Sequence, residues 1–205
     1  MQRRILRCAS LASALEDTPT ERPMLAWFKK NPTVLSRTVS GFRCHVVAEF
    51  QFGTDYRADF VLLAPFSGGF DVHFIDLEPP NVPLFTKAGV PAARLAGAIE
   101  QINSWRLFLE RNRSCVLRDL SKFVKLRDLS PLKGSEVIDN TGRPLHHPSQ
   151  HLRWNYEIII GRRGNLGDDG LEKKASFLTY HGIDLVTYDR LLDNAREMDE
   201  MSATA

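Results

Sequence analysis

Short apolar runs with polar and acidic residues set inside them occupy three successive stretches of the first half of the chain, at about 42–52, 57–63 and 70–80. Each is rich in β-branched and aromatic residues. Turn formers separate them, GlyThrAsp at 53–55 and ProPheSerGlyGly at 65–69. The pattern predicts three strands in an antiparallel meander. Folding the second turn about Ser67 and Gly68 sets Asp59 opposite Asp76, because the two are equally far from it. Folding the first about Thr54 sets Glu49 opposite Asp59. Glu49, Asp59 and Asp76 are therefore expected in one row across a single face, on strands ~4.8 Å apart. A slip of one residue would turn one of them to the other face.

Helical periodicity flanks the meander. Residues 20–31 read as a helix capped by Thr20, with Pro23 in its first turn and Asn31-Pro32 as its stop. A capping box from Thr18 to Glu21 would place Pro23 too deep. Leu95, Ile99, Ile102 and Leu109 mark a long helix over 90–112, with Pro91 in its first turn and Asn112 at its end. Residues 113–152 carry turn signals and a short helical pattern at 122–129, and read as a surface insertion. The IleIleIle run in 154–163 predicts a strand covered on both faces. A helix over 173–180, a strand over 183–188 and a helix over 189–198 complete the order. Residues 1–19 read as a helical N-terminal segment and 199–205 as a flexible tail. This is one α/β domain with a mixed central sheet flanked by helices.

Composition narrows the class. The chain has 205 residues, 43% of them hydrophobic and 25% charged, enough for one ordinary globular domain. A formal net charge of +2 provides no global basic field, so contact with nucleic acid has to come from local patches. Cys8, Cys44 and Cys115 lack metal-ligand spacing and are odd in number, which suggests reduced thiols in a cytoplasmic setting. No apolar run approaches the ~18–20 residues of a membrane span. Arg7 interrupts the apolar core a secretory signal needs, and the N-terminus reads as a plain helix rather than an organelle presequence.

The chemistry lies in acids set within apolar strands, where an unpartnered carboxylate is costly and like charges across a sheet repel. Asp76 and Glu78, two residues apart, point to one side, beside Asp59. Hard oxygen donors so arranged suit Mg²⁺ or Mn²⁺. The alternative is an edge hairpin whose solvent face simply carries acids, and the pattern alone leaves both open. The segment 161–170 has neither the P-loop ending nor the dinucleotide fingerprint. Its Arg162 and Arg163 are placed to meet a DNA backbone, and a plain surface loop is the alternative. The Arg111/Arg113 and Lys122/Lys125/Arg127 clusters read as solvated faces. His146, His147 and His151 lack the further ligand a zinc site needs. Cys44 and His45 point to opposite faces of a strand, which argues against a nucleophile–base pair.

Several fragments together carry a likeness. AlaAspPheValLeu, PheIleAspLeuGluProProAsnValProLeuPheThrLysAlaGly and AlaIleGluGlnIleAsnSerTrpArgLeuPheLeu fall in order, followed by IleIleIleGlyArgArg and AspLeuValThrTyrAspArgLeuLeu. Over about residues 20–198 the chain resembles the nuclease domain of the Shedu anti-phage defence family, of the PD-(D/E)XK nuclease superfamily. The resemblance implies a restriction-endonuclease-like core and a Mg²⁺- or Mn²⁺-dependent endonuclease acting on DNA, with a homo-oligomer as a further implication. It makes Asp59 and Asp76 the metal-binding acids and Gln101 the residue orienting water or a phosphate oxygen. Trp27 and Trp154 read as packing residues, whereas Trp105 shares Gln101's helical face and is the tryptophan placed to stack on a base of bound nucleic acid. Glu21 stands near a place where the superfamily often has a further acid, although the meander register favours Glu49 as the assisting ligand. The motif lysine is replaced by Glu78, as a base or water ligand, and Lys87 is the cation that could substitute from a distance. That departure keeps a second reading, a degenerate module that binds nucleic acid or protein without cleaving.

Overall fold

The computed structural model describes residues 6–17, 20–39, 43–166 and 168–204. The Thr18 capping alternative, the start of the first strand at Phe42, and Gly167 of the 161–170 segment lie outside them. Helices α1 (Arg7–Asp17), α2 (Glu21–Lys30) and α3 (Pro32–Val39) precede strands β1 (His45–Phe52), β2 (Tyr56–Phe66) and β3 (Gly69–Leu77). Helix α4 (Ala93–Arg127), strand β4 (His151–Ile159), helix α5 (Asp168–His181), strand β5 (Asp184–Val186) and helix α6 (Tyr188–Thr204) follow. The five strands form one mixed sheet in sequence order. β1–β2–β3 is the antiparallel meander, and β4 and β5 add in parallel.

Two apolar cores sandwich the sheet. Leu95, Ala98, Ile102, Trp105 and Leu109 of α4 pack with Val61, Leu63, Val72 and Phe74 on one face. On the other, Leu11, Met24, Phe28, Leu35 and Leu191 from α1, α2, α3 and α6 pack with Phe60, Leu62 and Ile75. Ile158 and Ile160 enter the first core and Ile159 the second, so the IleIleIle run is covered on both sides. This is the α/β class expected, compatible with a nuclease-like core.

The hairpin register is the expected one: Phe66 pairs with Gly69 around Ser67-Gly68, and the ladder runs to Phe60↔Ile75. Several boundaries differ. Asn31-Pro32 does stop α2, but Pro32 also opens α3, because proline at a first helical position gives up no ladder bond. Pro91 bridges to Phe85 ahead of α4 rather than lying in its first turn. Asn112 does not end α4. It kinks the helix (φ −122°, ψ 18°), and its side-chain amide donates to the Phe108 carbonyl at 2.9 Å. The helix then continues to Arg127, burying Val116, Leu117, Leu120 and Val124. At the other end, α6 extends to Thr204, through most of the expected tail.

Candidate active site

The site forms where β2 and β3 part. Backbone pairing ends at Phe60↔Ile75, and past it β3 stays with β4, the Glu78 N–H donating to the Ile159 carbonyl at 2.8 Å. The next N–H facing β2, that of Leu77, is taken by the Asp59 carboxylate at 2.8 Å. Asp59 thus closes the fork with its side chain. Continuing the ladder by one position sets it opposite Asp76, and both residues are only 6% exposed.

Asp76 faces α4, where the Gln101 side-chain amide donates to its Oδ1 at 3.0 Å. The expected Gln101 face is therefore turned to the acids. Burial pushes the Asp76 carboxyl up to about 8, helped by the negative charges of Asp59, Glu78 and Glu21. Burial also raises Asp59 to about 6, against the opposing Leu77 N–H. Glu78 rises to about 6 for the same reason, with Arg94 opposing. Its Oε2 is buried and has no hydrogen-bond partner, and the Arg94 guanidinium stands 3.8 Å away. The Glu78 carbonyl accepts a hydrogen bond from the Tyr188 hydroxyl of α6 at 2.8 Å. The acids therefore sit at the seam between the two cores, tied to the helices of both.

Glu49 does not join them in a row. Val46 and Val47 enter opposite cores as alternation demands, but Phe50 and Phe52 lie in the core of Val47. The side-chain order of β1 shifts by one residue at Glu49, which has the left-handed φ of +53°. β2 shifts opposite it, since Ala58 and Val61 share a core while Phe60 lies in the other. Pairing register is kept across the shift, as Ala48↔Phe60 and Phe50↔Ala58 show. The Glu49 carboxylate meets Lys29 and, at 3.9 Å, Arg57. The hydrogen bond from Lys29 holds it below the ordinary carboxylate range. Its charge still raises Asp59, but Glu21, in the first turn of α2, acts on all three acids, raising Asp59, Asp76 and Glu78.

The other expected residues separate. Trp105 is 1% exposed and packs edge-on against Phe52, so its ring belongs to the core and not to a base-stacking platform. Arg162 holds Asp189 with two nitrogens at 3.1 and 3.0 Å, and Arg163 holds Asp193 at 2.8 Å, so α6 carboxylates neutralise both. Lys87 is exposed on the loop that follows Glu78. His146, His147 and His151 line an open cavity of about 530 Å³ with Arg113. Arg94 and Tyr188 carried no signal in the sequence, since only the fold brings them to Glu78.

The donor set at the fork is all hard oxygen, and a Mg²⁺ ion is typically held by one or two carboxylates, its other positions left to water and substrate phosphate. The orphaned Glu78 Oε2 and the raised Asp59 and Asp76 are what such an ion would relieve, so the residues fit it. Among the described residues, no group of three or more His, Cys, Asp or Glu side chains is drawn close enough to hold an ion by itself. Also among them, no helix is long and apolar enough to cross a membrane.

No curated protein matches the chain. A family model described as "Shedu protein SduA, C-terminal" matches residues 19–192, from just before α2 into α6 and across the whole sheet and every acid of the fork, and the chain belongs to that family.

Proposed function

We propose that this protein is a divalent-metal-dependent nuclease that hydrolyses DNA phosphodiester bonds. Family membership supports a role in anti-phage defence. One observation carries the chemical reading. Asp59, Asp76 and Glu78 converge at the open end of the β2–β3 fork, with Arg94 as the single cation paired to any of them among the described residues. A cluster of largely buried carboxyls that the protein leaves with little positive compensation is the arrangement a cation-dependent site requires.

Asp59 and Asp76 would hold the ion, Mg²⁺ or Mn²⁺, with Glu21 and Glu78 at the rim. When bound, such an ion polarises the phosphoryl group and lowers the pKa of a coordinated water. The Leu77 N–H fixes Asp59, and the Gln101 amide fixes Asp76 while leaving its own carbonyl to orient the attacking water. Glu78 Oε2 receives the proton from that water, with Arg94 beside it to offset charge on the phosphate. Supercoiled plasmid with Mg²⁺ or Mn²⁺ tests this. Nicking is expected from the native protein and is expected to fall at least ~10³-fold in Asp59→Ala and Asp76→Ala. Unchanged nicking by both purified variants would sink the proposal.

The replacement of the motif lysine by Glu78 favours one second reading, a nuclease-fold module that binds without cleaving. Mn²⁺ titration calorimetry separates the two, because that module has no Asp76-dependent metal affinity. A Glu78→Lys variant that gains cleavage from an inactive parent supports the second reading.

A further inference from the structure

Beyond the acids, the loop after Glu78 and the segment after β4 enclose a cavity of about 170 Å³ lined by Thr86, Lys87, Asn165, Asp169 and Lys173 among others. Its walls are fixed. The Thr86 N–H donates to the Val90 carbonyl and the Gly89 N–H to the Thr86 carbonyl, making a tight turn. The bridge between Phe85 and Pro91 closes that turn into a small hairpin, and Phe85 packs against Phe177 of α5. Gly89 has φ +75°, and a Cβ there would collide with Lys173 Nζ. The bare glycine is what lets the Lys173 ammonium reach the cavity.

Both ammonium groups are available. Among the described residues, neither Lys87 nor Lys173 has a carboxylate within 4 Å. Arg162 and Arg163, the cations of the neighbouring segment, are by contrast committed to α6. Among the described residues, two ammoniums, a hydroxyl and an amide stand against the carboxylate of Asp169, a balance that suits a compact oxyanion, and the volume fits one phosphate group.

We infer that this cavity is a phosphate subsite that holds a backbone phosphate of the nucleic acid whose scissile phosphate meets the fork. The inference takes its ligand from the nuclease reading. The cavity lies on the loop that connects the fork to α4: eight residues after Glu78 the loop reaches Thr86, and α4 then returns Gln101 to Asp76. A strand whose scissile phosphate meets the carboxylates needs cations on either side, because those acids repel its neighbouring phosphates.

The test uses the full chain and a short DNA duplex, with binding followed by fluorescence anisotropy across a salt series and no divalent metal. Each phosphate contact on B-DNA contributes about 0.9 to the slope of log affinity against log salt. The Lys87→Gln/Lys173→Gln variant is expected to lose about one unit of slope and roughly ten-fold in affinity. Lys122→Gln, which removes an exposed charge elsewhere on α4, is expected to keep the native slope. A double variant with the native slope overturns the subsite. So does an equal loss in Lys122→Gln, which marks a general charge effect. Inorganic phosphate, followed by amide shifts at Thr86, Gly89 and Gly170, separates the sources. Shifts with free phosphate but a native DNA slope in the double variant would make the cavity a site for the free ion and overturn the assignment. The nuclease reading is judged apart. A native protein that binds with the full slope but does not nick DNA leaves the subsite standing and removes the catalysis.

Discussion

Asp76 ionises at a cost inside this fold, because burial and three neighbouring acids all favour its neutral form. The direction of the resulting pH dependence follows. At pH below about 4 the carboxyl is protonated in both folded and unfolded chains and contributes no difference. As pH rises the unfolded chain ionises first, so the metal-free folded state loses stability until pH passes about 8. Asp76→Asn keeps an acceptor for Gln101 and removes the charge. It is expected to stabilise the metal-free protein at pH 8 by about 1–3 kcal/mol and by much less at pH 5. Urea melts of both proteins at the two pH values check this, and equal stability at pH 8 would mean the site is better solvated than its geometry states. Metal affinity runs the other way. Protons compete for Asp59, Asp76 and Glu78, so Mn²⁺ binding measured by calorimetry is expected to tighten between pH 6 and pH 8.

Among the elements, the β2–β3 hairpin was legible because its register is set by a two-residue turn and by apolar alternation. Both are local properties. Glu49 stands opposite Asp59 in the register as expected, and its side chain turns away for the complementary reason. A residue with positive φ shifts the side-chain order without changing the pairing, and only glycine, asparagine or aspartate announces such a position in sequence. Arg94, Tyr188 and Glu21 meet at Glu78 through tertiary packing, which no spacing encodes. The second half of α4 was different, since Val116, Leu117, Leu120 and Val124 do carry a helical period. An asparagine that serves as a kink rather than a stop concealed it. Asn112→Ala removes the side-chain bond to Phe108 and is expected to cost about 0.5–1.5 kcal/mol. Hydrogen exchange is expected to quicken over 109–127 and to stay unchanged around Asp76. Uniform quickening would show that α4 opens as one unit.

For the molecule as a whole, the two cores depend on different parts of the chain. Leu11 and Leu15 of α1 are almost fully buried in the second core, where Trp27 donates to Ser10 and the Cys8 N–H donates to Asp199. Helix α1 precedes the family match at residue 19 yet completes the packing over α2 and α6. Deleting residues 1–17 is expected to destabilise the fold by several kcal/mol, since a buried leucine removed from a core costs about 2–5 kcal/mol. Its Mn²⁺ affinity, measured well below the melting temperature, is expected to change less than two-fold, because no acid of the fork lies on α1. A truncated protein of native melting temperature would show the second core closing without it.

The attachment of Glu78 at both ends of its peptide bears on when the site comes into being during synthesis. The hairpin bearing Asp59 and Asp76 is local and can form early. The N–H of Glu78, however, waits for Ile159, and its carbonyl waits for Tyr188. Parallel pairing of β3 with β4 spans more than 70 residues of chain, the kind of contact that forms late. A ribosome partway through this protein therefore carries the carboxylates without the scaffold that aims them. The nuclease proposed above would in this way be assembled only after residues 159 and 188 have been made.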